Sequence, residues 1–182
     1  MADMDSSITS WINSFSGHSI FVDWFMIVLT YAGPVVMVGL IAARWFSKVD
    51  RAGERHLAIQ CGAATMLGLI LNQLLLLAIH RVRPYDVGLT HLIIGRSQDP
   101  SFPSDHATVA FAITSLLVFA RDKWLVLSFL FAVLIGASRV FVGTHYLSDV
   151  LGGALTGAAG AMIMRMNYHR LDSLTARLVK IF

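Results

Sequence analysis

Five apolar runs constrain this chain more than any other feature. They extend over approximately Phe21–Trp45, Leu57–Ile79, Ser104–Ala120, Trp124–Val142 and Tyr146–Met164. A helix needs about 20 mostly apolar residues to cross the hydrocarbon core. The third run is the shortest, yet at ~1.5 Å per residue it covers on the order of 25 Å, enough for a span inside a bundle. With 56% hydrophobic and 14% charged residues, the composition belongs with membrane proteins rather than soluble domains. The expected fold is all-α: an integral membrane antiparallel helical bundle of about five transmembrane helices, preceded by an N-terminal interfacial helix.

That first helix is read from Ile8, Trp11, Ile12 and Phe15, which recur at i, i+3, i+4 and i+7 and leave Ser10, Asn13 and Ser14 on the other face. The runs follow one another closely, with no internal repeat or Pro/Ser-rich linker, so residues 21–164 read as one domain between an N-terminal segment, 1–20, and a basic tail, 165–182. The start is acidic and hydroxyl-rich rather than basic, so the first span is expected to target the chain without a cleavable signal. Cys61 has no partner for an intrachain disulfide and reads as a small core residue.

The formal net charge of +3 does not point to nucleic acid, because the basic residues form no stripe with interleaved aromatics. They sort by loop instead. Arg44, Lys48, Arg51, Arg55, Arg121, Lys123, Arg165, Arg170, Arg177 and Lys180 fall on one side, leaving Arg81, Arg83, Arg96 and Arg139 on the other. The positive-inside rule then puts the larger set and the C-terminus in the cytoplasm and the N-terminus outside, in a multi-pass plasma-membrane protein.

The outer arginines lie beside the remaining unusual polar residues. Arg83-Pro84 follows the second run, Pro103-Ser104-Asp105-His106 opens the third, and Ser138-Arg139 through His145 to Asp149 joins the fourth to the fifth. All three segments emerge on one face. Ionisable groups are costly at membrane depth, so this grouping implies a site. Taken singly, each has an ordinary reading: a histidine at a helix end is usually an interfacial hydrogen-bonding residue, and arginines snorkel to headgroups. Their joint spacing is what argues for chemistry.

Arg83 and Arg139 offer planar forks for phosphate oxygens. Ser104, at a helix start, can receive an anion with hydroxyl and free backbone N–H groups. His145 and Asp149 are four apart, so a carboxylate can take the Nδ1 proton and leave Nε2 as nucleophile. His106, from another run, can protonate the leaving oxygen.

Those residues carry a resemblance to the type 2 phosphatidic acid phosphatase superfamily of membrane lipid phosphatases. Two of that family's three motifs are complete here: Pro103-Ser104-Asp105-His106, where many members have Gly in place of Asp105, and Ser138-Arg139-x5-His145-x3-Asp149. The first motif departs. The family's Lys, seven residues before the Arg of the Arg-Pro pair, is Leu76 here. The resemblance implies a nucleophilic His145 oriented by Asp149, an acid at His106, and phosphate ligands at Arg83, Ser104 and Arg139, with Asp105 in the same segment. Arg81 is the candidate to supply the lost lysine charge. No metal or other cofactor is expected, since no further His, Cys, Asp or Glu cluster has ligand spacing.

The substrate is expected to be a membrane lipid phosphate. A polyprenyl diphosphate, hydrolysed through a phosphohistidine, fits the short chain, the Asp105 variant and the outward site, which resemble the bacitracin-resistance branch acting on undecaprenyl diphosphate. The alternative is a glycerolipid phosphatase acting on phosphatidic acid or phosphatidylglycerophosphate. Leu76 motivates a third possibility, an inactive lipid-binding or transport protein. Gly153 and Gly157, extended by Gly160, suggest tight packing within the bundle rather than a dimer seam; monomer and dimer stay open.

Overall fold

A computed structural model describes residues 2–167; the basic residues Arg170, Arg177 and Lys180 of the tail lie outside that range. Among the described residues the fold is all-helical: α1 (Ala2–Asn13), α2 (Ile20–Ala43), a short 3-10 helix (Arg44–Phe46), α3 (Arg51–Ala78), α4 (Asp105–Phe119), α5 (Leu125–Phe141) and α6 (Leu147–Met166). Each apolar run read from the sequence is the body of one of α2 to α6. α3 starts six residues before its run, because Asp50 caps it with a side-chain oxygen that accepts from Gly53 N–H. Three of the helices are long and apolar enough to cross a membrane: α2 with the 3-10 turn, α3 and α6. α4 and α5, with 15 and 17 residues, are shorter apolar helices.

α4 is the centre. Its buried residues include Ala107, Thr108, Ala110, Ala112, Ile113, Leu116 and Leu117, distributed around the whole helix, as in a helix enclosed by others. It packs most extensively on α6, and also on α3, α5 and α2. The outer helices turn apolar faces outward. On α3, Met66, Ile70, Leu74 and Leu77 are exposed at successive spacings of four, four and three residues, an unpolar stripe of the kind a membrane covers.

Glycines bring α6 against its neighbours. A Cβ on Gly153 would lie 2.3 Å from the Ser104 carbonyl oxygen, one on Gly157 would lie 2.4 Å from that of Thr108, and one on Gly160 would meet Ala64 O at 2.4 Å. The glycine series is thus used inside the bundle, against α3 and α4. Gly153 seats the start of α6 directly on the start of α4.

α1 turns Ile8 and Trp11 of its apolar side outward. Its polar edge faces protein: Thr9 and Asn13 are buried, while Met4, Trp11 and Phe15 are exposed. Ile12 packs beside Ala107, Val140 and Val150. The cause is hydrogen bonding, since Asn13 donates to the carbonyls of His91 and Phe141 and accepts from His91 N–H, groups that burial would otherwise leave unmatched.

Candidate active site

The C-terminal ends of α3 and α5 and the N-terminal ends of α4 and α6 meet at one end of the bundle, and the residues singled out in the sequence gather there. Arg139 stands in the last turn of α5, and its carbonyl accepts from both the N–H and the Oγ1 of Thr144. Gly143, at φ +84°, makes the turn; a Cβ there would lie 2.5 Å from His91 O. The chain then presents His145 immediately before α6.

His145 is buried, and its Nδ1 lies 2.8 Å from Ser101 O and 3.5 Å from Asp149 Oδ2. A carbonyl only accepts, so Nδ1 carries the proton and Nε2 keeps its lone pair. Nε2 faces Arg83 Nη1 at 3.5 Å. Burial pushes the imidazole well down, to about 4; Asp149 pulls the other way, and the Arg139 and Arg83 charges lower it further. The ring is therefore neutral at pH 7.

Asp149 is fully buried. Its Oδ2 accepts from Ser101 Oγ–H and from Tyr146 N–H at 2.8 Å, and its Oδ1 accepts from Arg81 Nη1 at 2.6 Å. Its carbonyl accepts from Ser104 N–H at 3.0 Å, tying α6 to α4. One residue thus joins the histidine loop, the Ser101 segment of the loop between α3 and α4, and the start of α4.

Arg83 is buried and almost saturated. Nε donates to Asp99 O, Nη1 to Thr144 O, and Nη2 to Ser97 Oγ and Pro100 O. Its remaining N–H, on Nη1, is the one directed toward His145 Nε2. Arg139 and Ser104 differ: both are buried, and neither Arg139 Nε nor Ser104 Oγ has a hydrogen-bond partner among the described residues. His106, half-buried on the first turn of α4, lies in the field of the Arg139 and Arg83 guanidiniums. Asp105 is exposed and accepts from Asn72 Nδ2 at 2.7 Å.

Arg81 joins the cluster through Asp149. Its guanidinium donates to Ser148 Oγ and Asp149 Oδ1, both at 2.6 Å, and to Asp5 Oδ2 at 2.7 Å, and it stacks over the Tyr146 ring at 3.7 Å. It meets Asp149 on the carboxylate oxygen that does not face His145. Arg96 pairs with Asp86 at the surface.

Ser101, Asp5, Thr9 and Asn72 were not legible as site residues, because each acts by position across the fold rather than within a motif. Among the described residues no group of three or more His, Cys, Asp or Glu is placed to hold a metal ion.

A helical bundle of membrane-spanning length, carrying a histidine–aspartate pair, a second histidine and unpartnered donors at one end, is the architecture of a membrane phosphatase. The chain belongs to the PAP2 superfamily, whose model matches residues 57–172. It is similar to the undecaprenyl-diphosphatase BcrC of Bacillus subtilis, with 31% identity over 94% of this chain and 86% of that relative. Its fold matches the transmembrane PAP2-type phosphatidylglycerolphosphate phosphatase of Bacillus subtilis, with TM-score 0.71 and 21% identity over 93% of this chain and 87% of the other. It also matches LpxE of Aquifex aeolicus, with TM-score 0.68 and 24% identity over 88% and 93% of the two chains.

Proposed function

We propose that this membrane phosphatase hydrolyses a polyprenyl diphosphate, of the undecaprenyl class, to the monophosphate and inorganic phosphate. The observation that carries the chemistry is the pair of buried donors without partners, Ser104 Oγ and Arg139 Nε. Buried polar groups are ordinarily matched, and an incoming phosphoryl group would match both. The substrate class rests on the similarity to BcrC over 94% of the chain.

In the proposed reaction the Nε2 lone pair of His145 attacks the terminal phosphorus. The bond from phosphorus to the bridging oxygen breaks, and His106, as imidazolium, gives that oxygen its proton. Water then attacks the phosphohistidine, its proton passes to His106, and the phosphorus–nitrogen bond breaks to release inorganic phosphate and restore His145. Arg139, Ser104 and the Arg83 N–H that faces His145 Nε2 hold phosphoryl oxygens, where donors count most as charge develops. The chemistry is read as independent of a metal.

Residues 21–164 form the catalytic unit in this reading, with five antiparallel spans. α4 and α5 complete the set, their modest length suiting helices enclosed by or packed on longer ones. Arg44, Lys48, Arg51, Arg55, Arg121, Lys123 and Arg165, seven of the eleven described Lys and Arg residues, lie at the far end, which supports an extracytoplasmic site in the plasma membrane.

The test is phosphate release by purified protein, with and without excess chelator, on undecaprenyl diphosphate, phosphatidic acid and phosphatidylglycerophosphate. Turnover of the diphosphate in chelator is expected. Preference for either glycerolipid would overturn the substrate, and loss of turnover restored by one divalent ion would overturn the metal-free chemistry.

A further inference from the structure

α1 reaches the site through three side chains spaced four apart: Asp5, Thr9 and Asn13. The first turn of α6 has backbone N–H groups with no partner inside their own helix, and α1 supplies it with partners. Leu147 N–H donates to Thr9 Oγ1 at 3.0 Å, and Ser148 N–H donates to Asp5 Oδ1 at 2.9 Å. Asp5 Oδ2 also accepts from Ser148 Oγ–H and from Arg81 Nη2. Arg81 passes the contact on through Nη1 to Asp149 Oδ1. α1 lies outside the stretch that the family model matches.

We propose that Arg81 and Asp5 are positioning residues for the reaction at His145: Asp5, carried in on α1, holds the Arg81 guanidinium against the rear oxygen of Asp149 and so sets the place and the charge of the carboxylate behind the histidine. Two features argue for this over a phosphate-binding Arg81. Both terminal nitrogens already face acceptors, and the stacked Tyr146 ring covers one face of the guanidinium. A bidentate guanidinium also fixes orientation in a way a single ammonium does not. The relay rests on the reading of His145 as nucleophile.

The charged groups acting on His145 are Arg83 from the loop after α3, His106 from α4, Arg139 from α5 and Asp149 from α6, with Arg81 and Asp5 one step behind Asp149. This order predicts opposite effects. Asp5→Asn keeps oxygen and nitrogen in place but removes a negative charge, leaving Arg81 to draw wholly on Asp149. The acid limb of kcat/KM, which reports the base of the free enzyme, should move to lower pH, with kcat down about tenfold and KM unchanged. Arg81→Gln removes the cation and should move the limb to higher pH. The double variant should return it toward the parent. Thr9→Val, which removes one α1 contact without altering charge, should lower Tm and leave the limb in place.

These variants are assayed on undecaprenyl diphosphate beside His145→Asn. An inactive His145→Asn with acid limbs that do not move, or that move the same way in both single variants, overturns this inference alone. An active His145→Asn overturns the reading of the nucleophile. If Arg81→Gln does not accumulate, Arg81→Lys carries the test, since one ammonium cannot span Asp5 and Asp149 together. Lower kcat with unchanged KM is then expected, and a raised KM with normal kcat would make Arg81 a phosphate ligand instead.

Discussion

Arg81 Nη1 lies 2.6 Å from Asp149 Oδ1, while Asp149 Oδ2 lies 3.5 Å from His145 Nδ1. The same carboxylate therefore answers to a cation on one side and the histidine on the other. It is also fully buried and receives Ser101 Oγ–H and Tyr146 N–H.

Asp149→Ala should therefore damage folding as well as activity. It leaves the Tyr146 and Ser101 donors and the inner side of Arg81 without their acceptor, and breaking a buried ion pair from one side costs ~3 kcal/mol. His145→Ala loses its hydrogen bond to Ser101 O, ~1 kcal/mol, and the longer contact with Arg83 Nη1. Thermal unfolding in detergent should rank Asp149→Ala below His145→Ala, while phosphate release should rank His145→Ala as the less active of the two.

Ser104→Ala should show the reverse. Ser104 Oγ has no partner among the described residues, so its removal should change stability by no more than ~0.5 kcal/mol. If the hydroxyl binds the phosphoryl group, kcat/KM should fall at least about tenfold, or ~1.4 kcal/mol. Equal Tm with reduced turnover is the expected result.

Gly153→Ala tests the seat of α6 on α4. The new Cβ would lie 2.3 Å from the Ser104 carbonyl oxygen and 3.0 Å from Ala107 Cβ. Backbone cannot swing aside as a side chain can, so the helices must separate, at ~1–3 kcal/mol. Activity should fall with stability, because the shift moves Ser104 relative to His145. Gly39→Ala, where the added Cβ meets nothing within 4 Å, should be close to neutral in both assays.

The buried neutral His145 makes stability depend on pH. Its value is lowered from 6.5 to about 4, so the unfolded chain binds the proton more readily. Stability contributed by the neutral ring is full above about 6.5 and is lost progressively as pH falls through the interval down to about 4. Denaturation midpoints of the parent should decline across that window, and those of His145→Gln should decline less.

Topology can be read with a single cysteine. Gly95 is exposed and a Cβ there meets nothing within 4 Å, whereas native Cys61 is buried. Gly95→Cys should react in intact cells with an impermeant thiol reagent, and the parent should not. Labelling only after lysis would place the site on the cytoplasmic side.

Much of the architecture was legible in the chain because helices and motifs are local. Apolar runs predict the bodies of α2 to α6, since burying a backbone in an apolar medium requires its hydrogen bonds to be closed within the helix. The motif spacings placed His145 and Asp149 one turn apart and identified Ser104 as the residue before α4. Tertiary structure alone decided what those motifs touch. That Nδ1 of His145 meets Ser101 O more closely than Asp149, and that Arg81 meets Asp149, depends on contacts across 44 and 68 residues. The docking of Asp5 on Ser148 spans 143. No period or propensity encodes such separations; they follow from which helix ends the packed glycines of α6 bring together and which buried donors then need acceptors.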